Sequence, residues 1–315
     1  MISIGVDLGG THLRAAAFDG DSHIAVAHHR EPVGEPRDPA TIVARVASVV
    51  ERLAPDGGAV GVGIAAMLRD RTGTVANSPH LRWRDVPFGA LLRDRLGARY
   101  QLGVHNDVNA IVWGEVVAGA ARGCRDVLGV YVGTGIGGGL VCGGRLVDGA
   151  TSCAGELGHV KVRWGDDAAP CACGQRGCVE AYCGGAYVQA RIARELGVGA
   201  RSSAVKLAGS AALVHPGHVD MAAADGDDWA LGLWTELAPL LAVALGNAIA
   251  LVNCERLVLG GGLLARCPTL QQLVVASLEV ATPVAALDAL TIAIAELGDD
   301  AGLVGAARLS RERTE

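Results

Sequence analysis

The sequence predicts an α/β protein built from two similar halves with a cleft between them. Three observations support this prediction. Apolar strand-like runs alternate with segments of helical spacing, each half opens with a strand, a glycine turn and a second strand, and 50% of the 315 residues are hydrophobic. Aromatic residues make up 3% of the chain and there are 45 glycines. We therefore expect an aliphatic core, glycine-rich loops and a largely buried sheet.

The first half alternates strands and helices after its opening hairpin. A helix is predicted from Pro39 to Leu53, where apolar residues recur at helical spacing after a proline start. The elements that follow are a buried strand in GAVGVGIAAML, a helix in WRDVPFGALLRDRLG that Gly97 closes, a strand in YQLGVHND and a helix in VNAIVWGEVVAGAARG. Residues 1–113 are expected to form a small domain, which the C-terminal helix at about 300–315 completes.

The second half repeats the opening hairpin in DVLGVYVGTGIGGGLVCGGRLVDG. A cysteine-rich loop comes next, and helices are predicted from Gly185 to Asn253. The strand ERLVLGGG and a glycine-rich last helix complete the pattern. Residues 114–299 are expected to form the larger domain, which carries the cysteine-rich loop.

Composition and charge exclude several classes of protein. The net charge is -6 and no block of Lys and Arg stands out, which argues against nucleic acid as a partner. The apolar stretch LAPLLAVALGNAIALV contains Pro239 and is shorter than the ~20 apolar residues of a membrane span, so a buried helix is predicted. The start of the chain does not resemble a signal peptide. Nine cysteines, three of them in one loop, suit a reducing cytoplasm and a metal better than disulfides.

Three glycine corners are candidate nucleotide sites: the first two could hold phosphates, and the third, Gly260–Gly262, would suit the ribose or base side because it follows a strand and precedes a helix. GTGIGG matches the dinucleotide-binding motif, but that motif requires a helix directly after it, and a strand is predicted there. An ordinary tight hairpin remains an alternative. A phosphate cradle is favoured because exposed backbone N–H groups and a Thr hydroxyl occur at both DLGGT and GTGIGG. The candidate nucleotide-binding residues are Gly9, Gly10, Thr11, Gly133, Thr134, Gly135, Gly137, Gly138, Gly261 and Gly262.

The corners DLGGT, GTGIGGG and LVLGGG, in this order, resemble the actin/hexokinase-type, ribonuclease H-like ATPase fold. The chain more specifically resembles the ROK family of sugar kinases and sugar-responsive repressors, because HNDVNAIVWGE, GELGH, CACGQRGCVEAY and LGDDAGLVGAA are similar to family motifs. The resemblance implies ATP as the phosphoryl donor, Mg²⁺ on its terminal phosphates and Asp7 as the carboxylate that approaches the Mg²⁺. In the family's DxGGTK motif the last residue here is His12, so a fixed positive charge is missing from this nucleotide-binding segment.

A metal site is predicted in the cysteine-rich loop. His159 is followed by Cys171, Cys173 and Cys178 in a C-x-C-x4-C pattern, which provides the four ligands of a tetrahedral zinc site. Four protein ligands leave no position for an activated water, so this zinc is expected to be structural. A chance cluster of buried thiols is the alternative.

The resemblance also implies the residues that handle the sugar. Residues that match Glu156, His159 and Glu180 hydrogen-bond the sugar in the family, as does the Asn that matches Asn106. The family motif E-N-D-x-N-A makes Asp107 the general base. Two other interpretations remain: Asp107 could be a helix N-cap, and the two glutamates could be solvated surface residues.

The expected function is ATP-dependent phosphorylation of a hexose, with glucose favoured over N-acetylmannosamine, fructose or mannose. His80 stands where the family has a sugar-binding Asn, which weakens the assignment of the sugar, and polyphosphate is an alternative donor. A repressor is disfavoured because the chain begins at the DLGGT strand and is acidic, and an inactive ATPase-fold protein is a third alternative. The resemblance implies a homo-oligomer, commonly a dimer. The HPGH segment with His215 and His218 is expected to be a surface loop rather than a second metal site.

Overall fold

The computed structural model describes residues 2–312, which form two compact units of α/β structure. Within the described residues, the first unit comprises 2–127, 139–155 and 295–312, and the second comprises Leu128–Gly138 and Glu156–Ile294. The α/β architecture predicted from the sequence is confirmed. The predicted domain boundary after residue 113 stays a prediction.

The elements follow one another in a largely alternating order. The strands are β1 (Ile2–Leu8), β2 (His12–Asp19), β3 (Ala25–Pro32), β4 (Gly58–Ile64), β5 (Met67–Leu68), β6 (Val75–Ser78), β7 (Trp83–Val86), β8 (Tyr100–Asn106), β9 (Val127–Val132), β10 (Ile136–Cys142), β11 (Arg145–Leu146), β12 (Arg256–Gly260) and β13 (Thr291–Ile294). The helices are α1 (Pro39–Leu53), α2 (Phe88–Leu96), α3 (Asp107–Ala118), α4 (Glu180–Cys183), α5 (Gly185–Gly197), α6 (Ala204–Ala208), α7 (Pro216–Ala224), α8 (Asp228–Val252), α9 (Gly262–Arg266), α10 (Pro268–Ala281), α11 (Val284–Leu287) and α12 (Ala301–Glu312).

The sheet of the first unit has the order β3-β2-β1-β4-β8. β1 pairs antiparallel with β2 and parallel with β4, and β4 pairs parallel with β8. Because β1, β4 and β8 run in the same direction, their carboxyl ends meet at one edge of the sheet. Asp7 and Asn106 both lie at this edge. The edge strand β3 was not predicted from the sequence.

Helix α12 packs on this sheet through close backbone contacts. A Cβ atom on Gly61 would lie 1.7 Å from the carbonyl oxygen of Ala306, and one on Gly5 would lie 1.8 Å from that of Leu303. A Cβ on Gly305 would lie 1.7 Å from the carbonyl oxygen of Ala110 in α3. Glycine at these positions therefore lets the last helix approach both the sheet and α3.

One predicted helix is confirmed at both ends and another begins later than predicted. α1 spans the predicted residues, and the Asp38 carboxylate caps it by accepting a hydrogen bond from the Thr41 N–H at 3.0 Å. The helix predicted over WRDVPFGALLRDRLG starts only at Phe88. Its first residues form β7, which pairs with β6, and Pro87 occupies the N-cap of α2. The predicted start of this helix was wrong because the residues before Pro87 pair with β6 as a strand.

The second sheet has the order β11-β10-β9-β12-β13. β10 begins directly after the glycine turn, so the predicted strand is confirmed there and the helix that a dinucleotide-binding motif requires is not present at that position. The strand predicted in ERLVLGGG is β12. Its parallel neighbour β13 was not predicted.

The long apolar helix α8 contains the stretch predicted to be a buried helix. Within residues 2–312 it is the one helix that is long and apolar enough to cross a membrane, and 50% of its most apolar window is buried inside the protein. Trp234 and Leu245 in this helix are fully buried. A core helix meets the same test of length and composition.

Candidate functional site

Asp7, the predicted Mg²⁺-approaching carboxylate, lies near the end of β1 and is held by an arginine. Arg14 on β2 is its cross-strand partner and donates to Asp7 Oδ2 from Nε at 2.9 Å and from Nη2 at 2.5 Å. Arg14 Nη1 also lies 2.9 Å from Asp299 Oδ2. Burial raises the pKa of the Asp7 carboxyl, whereas Arg14 lowers it. The arginine therefore fixes the orientation of this carboxylate and partly offsets the cost of its burial.

The first glycine corner joins β1 to β2. The Gly9 N–H donates to the carbonyl oxygen of His12 at 3.1 Å, which closes the turn that contains Gly10 and Thr11. A Cβ on Gly10 would lie 2.7 Å from the Cβ of His80. His80 is thus packed against this corner, and its exposed side chain lies near residues that the sequence assigned to the nucleotide.

Asn106 and Asp107 lie where β8 ends and α3 begins. Asn106 is the N-cap of α3, because its Oδ1 accepts from the Asn109 N–H at 3.1 Å, while its Nδ2 donates to the Ala66 carbonyl oxygen at 3.2 Å. Asp107 is the first residue of the helix. The capping interpretation of Asp107 is therefore wrong, since its neighbour performs that role. Asp107 is half-buried, and its Cα lies close to Gly63 near the end of β4.

The second glycine corner contacts Glu180. The Ile136 N–H donates to Glu180 Oε2 at 2.8 Å, and a Cβ on Gly135 would lie 2.4 Å from that same oxygen. The Gly133 and Thr134 carbonyl oxygens accept from the first two N–H groups of α5, at 2.9 Å each. The corner is therefore held by a glutamate and by a helix start, and the exposed Thr134 hydroxyl lies at its tip.

The third corner, before α9, requires glycine for steric reasons. Gly261 has a φ of +92°, and a Cβ there would lie 2.5 Å from the Val132 backbone at the end of β9. Gly262 then begins α9. Thr134 and Gly262 line one cavity of about 490 Å³ within the second unit. Two of the three glycine corners predicted from the sequence thus border the same cavity.

The four predicted metal ligands are brought together. One ligand atom from each of His159, Cys171, Cys173 and Cys178 lies within 4.8 Å of the other three. The Sγ atoms of Cys173 and Cys178 are 3.7 Å apart, and Cys171 Sγ lies 3.8 Å from His159 Nδ1. Zn–S bonds of about 2.3 Å in a tetrahedral site place two sulfurs roughly 3.8 Å apart. The cluster therefore fits a zinc ion.

Surrounding contacts hold the cysteine-rich loop in shape. The Tyr182 and Tyr187 hydroxyls accept from the Ala169 and Ala172 N–H groups at 2.8 and 2.7 Å. Lys161 Nζ donates to Cys178 Sγ at 2.9 Å. A positive charge at this distance stabilises a thiolate, which is the form that binds a metal.

Glu156 and His159 lie side by side at the edge of this cluster. His159 Nε2 is 3.9 Å from Glu156 Oε2, while its Nδ1 faces Cys171. Burial raises the pKa of the Glu156 carboxyl, His159 lowers it and Glu180 raises it further. The ring can thus use one nitrogen for a metal and offer the other toward a ligand.

Sequence reasoning missed several side chains of these sites. Arg14 was detectable as one charged residue inside an apolar strand. Gln189, His215 and Arg266 also line the cavity of the second unit. His215 was expected in a surface loop, but it is the N-cap of α7. Sequence spacing gives no signal for these three, because they come from separate elements that only the fold brings together.

Comparisons with known proteins identify the family. A model of the ROK family matches residues 3–313. The chain is 33% identical over 322 residues to a glucokinase of Streptomyces coelicolor. The aligned region covers 99% of this chain and 98% of that protein. It is also 33% identical over 319 residues to an N-acetylmannosamine kinase of Citrobacter koseri, covering 99% of each.

A solved structure gives the same answer for the fold. The ROK family glucokinase from Streptomyces griseus, in complex with glucose and AMPPNP, matches with a TM-score of 0.77 and 29% identity over 99% of this chain and 100% of that one. The actin/hexokinase-type fold expected from the sequence is therefore confirmed. The chain belongs to the ROK family.

Proposed function

We propose that the protein is a sugar kinase that transfers the terminal phosphoryl group of ATP to a hexose, with glucose as the first candidate. The observation that carries this proposal is the 33% identity to a glucokinase over 99% of the chain. N-acetylmannosamine is the second candidate sugar, because an N-acetylmannosamine kinase is equally identical over 99% of the chain. Fructose and mannose remain further alternatives.

In the proposed reaction, Asp107 is the general base. A hexose hydroxyl oxygen forms a bond to the γ-phosphorus, the bond from that phosphorus to the β–γ bridging oxygen breaks, and ADP leaves. The hydroxyl proton moves to the Asp107 carboxylate. The transition state of such transfers is largely loose, so positioning and charge stabilisation account for most of the rate enhancement. The position of Asp107 beside the carboxyl edge of the first sheet supports this role.

The substitution Asp107→Asn tests the proposal. We expect it to lower kcat by roughly 10²- to 10⁴-fold, since general bases typically contribute that much, in an assay that couples ADP release to a panel of hexoses. Asp94→Asn, the same change at an exposed position of α2, is the matched control and should match the parent. ADP release by the parent with none of the hexoses, or an Asp107→Asn variant as active as the parent, would refute the assignment.

The sugar-binding residues are proposed from their chemistry. Glu156, His159 and Glu180 can hydrogen-bond hydroxyl groups, and the raised pKa of Glu156 reflects a partly desolvated carboxyl that a sugar can contact. Asn106 and His80 are proposed as further contacts. His80 is longer than the Asn found in the family and can also donate and accept hydrogen bonds, so it is the residue that we expect to affect sugar choice.

Two metal ions enter the proposal. Mg²⁺ bound to ATP supplies neutralisation of the phosphate charge, and Asp7 is the carboxylate proposed to approach it. His159, Cys171, Cys173 and Cys178 would hold the structural zinc ion. The three thiolates and the imidazole fill a tetrahedron, so the role proposed for this site is to fix the His159 ring and the neighbouring carboxylates.

The first two glycine corners are proposed to bind the phosphate groups of the nucleotide through backbone N–H groups, and the third its ribose or base side. The residues concerned are Gly9, Gly10, Thr11, His12, Gly133, Thr134, Gly135, Gly137, Gly138, Gly261 and Gly262. We further propose a cytoplasmic location, a homodimer, and neither nucleic acid nor membrane as a partner.

A further inference from the structure

Part of the wall of the cavity in the second unit is formed by residues outside the glycine corners. Besides the corner that contains Thr134, it is lined by the starts of α5, α7 and α9. At about 490 Å³ it lies within the usual range for small-ligand pockets. The start of α7 contributes His215, Pro216 and Gly217, which the sequence analysis placed in a surface loop.

His215 and His218 form a stacked pair at this wall. Their ring centroids are 3.7 Å apart and their planes are inclined by 29°. The Gly217 N–H donates to His215 Nδ1 at 3.1 Å, and the His215 N–H donates to His218 Nδ1 at 3.3 Å. Each Nδ1 is therefore an acceptor, which places the ring proton on Nε2. Partial burial, His218 and Arg266 all lower the pKa of His215, which agrees with a neutral ring.

Neighbouring side chains fix this wall in position. Gln189 on α5 donates from Nε2 to the Val214 carbonyl oxygen at 2.9 Å, so the residue before His215 is tied to α5. Arg266 donates from Nε to the Gly262 carbonyl oxygen at 3.0 Å. The His215 ring thus presents an aromatic surface to the cavity beside the Arg266 guanidinium.

We propose that His215 determines the donor specificity of the kinase by stacking on the purine ring of a nucleoside triphosphate. This inference rests on the proposed kinase function. A flat base gains contact with a neutral aromatic face whatever its hydrogen-bonding edge. An inorganic polyphosphate chain has no flat apolar group, so the His215 ring contributes little to its binding. The His215 ring therefore favours a nucleotide over inorganic polyphosphate as the donor.

Two substitutions separate stacking from helix capping. His215→Asn keeps a side-chain acceptor at the N-cap, where Asn is preferred, but removes the ring. His215→Phe keeps an aromatic ring and removes the acceptor. If His215 acts by stacking, the Asn variant loses nucleotide affinity and the Phe variant retains it. If the residue only caps α7, the Phe variant is the impaired one.

The experiment is calorimetric titration of the full-length parent and both variants with ADP and with pyrophosphate. We expect His215→Asn to weaken ADP binding by about 5- to 150-fold, which corresponds to the usual contribution of base–aromatic stacking. Pyrophosphate binding should change less than twofold in both variants, and circular dichroism should show that all three proteins are folded.

Equal ADP affinity in the parent and the Asn variant would overturn the inference, and so would an equal loss for ADP and pyrophosphate. Hexose phosphorylation by the parent is measured separately. A parent that turns over hexose but shows no dependence of ADP binding on the 215 ring refutes the inference alone. A parent that binds ADP through that ring but phosphorylates no hexose refutes the proposed function and leaves base stacking intact.

Discussion

At the scale of single residues, adjacent side chains divide structural and chemical roles. Asn106 caps α3 with its Oδ1 and reaches the Ala66 carbonyl oxygen with its Nδ2. Asp107, one position later, does not cap the helix. Glu180 in turn accepts the N–H of Ile136 in the second glycine corner. A polar residue of these sites can therefore hold the backbone as well as face a ligand.

The lowered pKa of one carboxylate outside these sites, Asp70, predicts how the stability of the fold changes in acid. Asp70 accepts hydrogen bonds from the Thr72 hydroxyl at 2.6 Å, the Thr72 N–H at 2.9 Å and the Thr74 N–H at 3.3 Å. The bonds from Thr72 are the main cause that lowers the pKa of Asp70 to about 2. Because this pKa is lower in the folded state, the stabilisation is complete above the unfolded-state pKa near ~4 and is lost as the pH falls toward 2.

The substitution Asp70→Asn should therefore lower Tm by a constant amount between pH 6 and 8. The difference in Tm from the parent should shrink as the pH is lowered from about 5 to about 3, where the parent carboxylate begins to lose its advantage. Thermal unfolding followed by circular dichroism across this range measures it. A difference as large at pH 3 as at pH 7 would show that the charge of Asp70 does not contribute.

At the scale of elements, close backbone packing positions the first unit's site. α12 approaches β1 and β4 at glycine positions, while α3, which begins with Asp107, contacts α12 through Gly305. The helix that carries the proposed base is therefore held by the last helix of the chain. Glycine at these contacts is a steric requirement rather than a requirement for unusual backbone angles.

Gly61→Ala tests this packing. The added Cβ would lie 1.7 Å from the Ala306 carbonyl oxygen, so α12 must shift. We expect the free energy of unfolding to fall by about 1–3 kcal/mol or more, as for other overpacked cores. Gly232→Ala in α8 is the matched control, because its Cβ would meet nothing within 4 Å and alanine favours a helix. Urea unfolding of both variants measures the effect, and a Gly61→Ala variant as stable as the parent would contradict the packing.

At the scale of the whole molecule, the proposed reaction depends on the cysteine-rich loop, whose proposed metal ligands position other residues and take part in no bond change. The cysteine-rich loop places Glu156 and His159 at its edge and Glu180 two residues after its last cysteine, Cys178. Its four proposed ligands meet the distances of a tetrahedral zinc site. Hexose binding should therefore depend on the metal, although the metal takes part in no step.

Removal of zinc with a chelator should weaken hexose binding on the order of tenfold or more, because ring and carboxylate positions are lost. Zinc content, measured by mass spectrometry, and glucose affinity, measured by calorimetry, should fall together and recover when Zn²⁺ is added back. Cys173→Ser should reproduce the loss. Cys142→Ser, at a cysteine outside the cluster, should retain both. Unchanged hexose affinity in the zinc-free protein would show that the loop does not order the sugar site.

Motifs with local geometry were predictable from the sequence. The span of α1, the strand after GTGIGG and the cluster of His159, Cys171, Cys173 and Cys178 were each predicted from residues close together in the chain. The start of α2 was wrong, and β3 and β13 were missed, because strand pairing with distant segments determines them. The roles of Asp107, Glu156 and Glu180 in catalysis and sugar binding stay predictions.

The sequence alone determined the α/β class, the glycine corners, the ROK family resemblance and the clustering of His159 with three cysteines, because each depends on residue types at fixed short spacings. The tertiary structure alone decided that Arg14 orients Asp7, that Asn106 rather than Asp107 caps α3, and that His215, Pro216 and Gly217 line a cavity. These facts depend on contacts between residues far apart in the chain, and such contacts exist only when packing and sheet register bring the elements together.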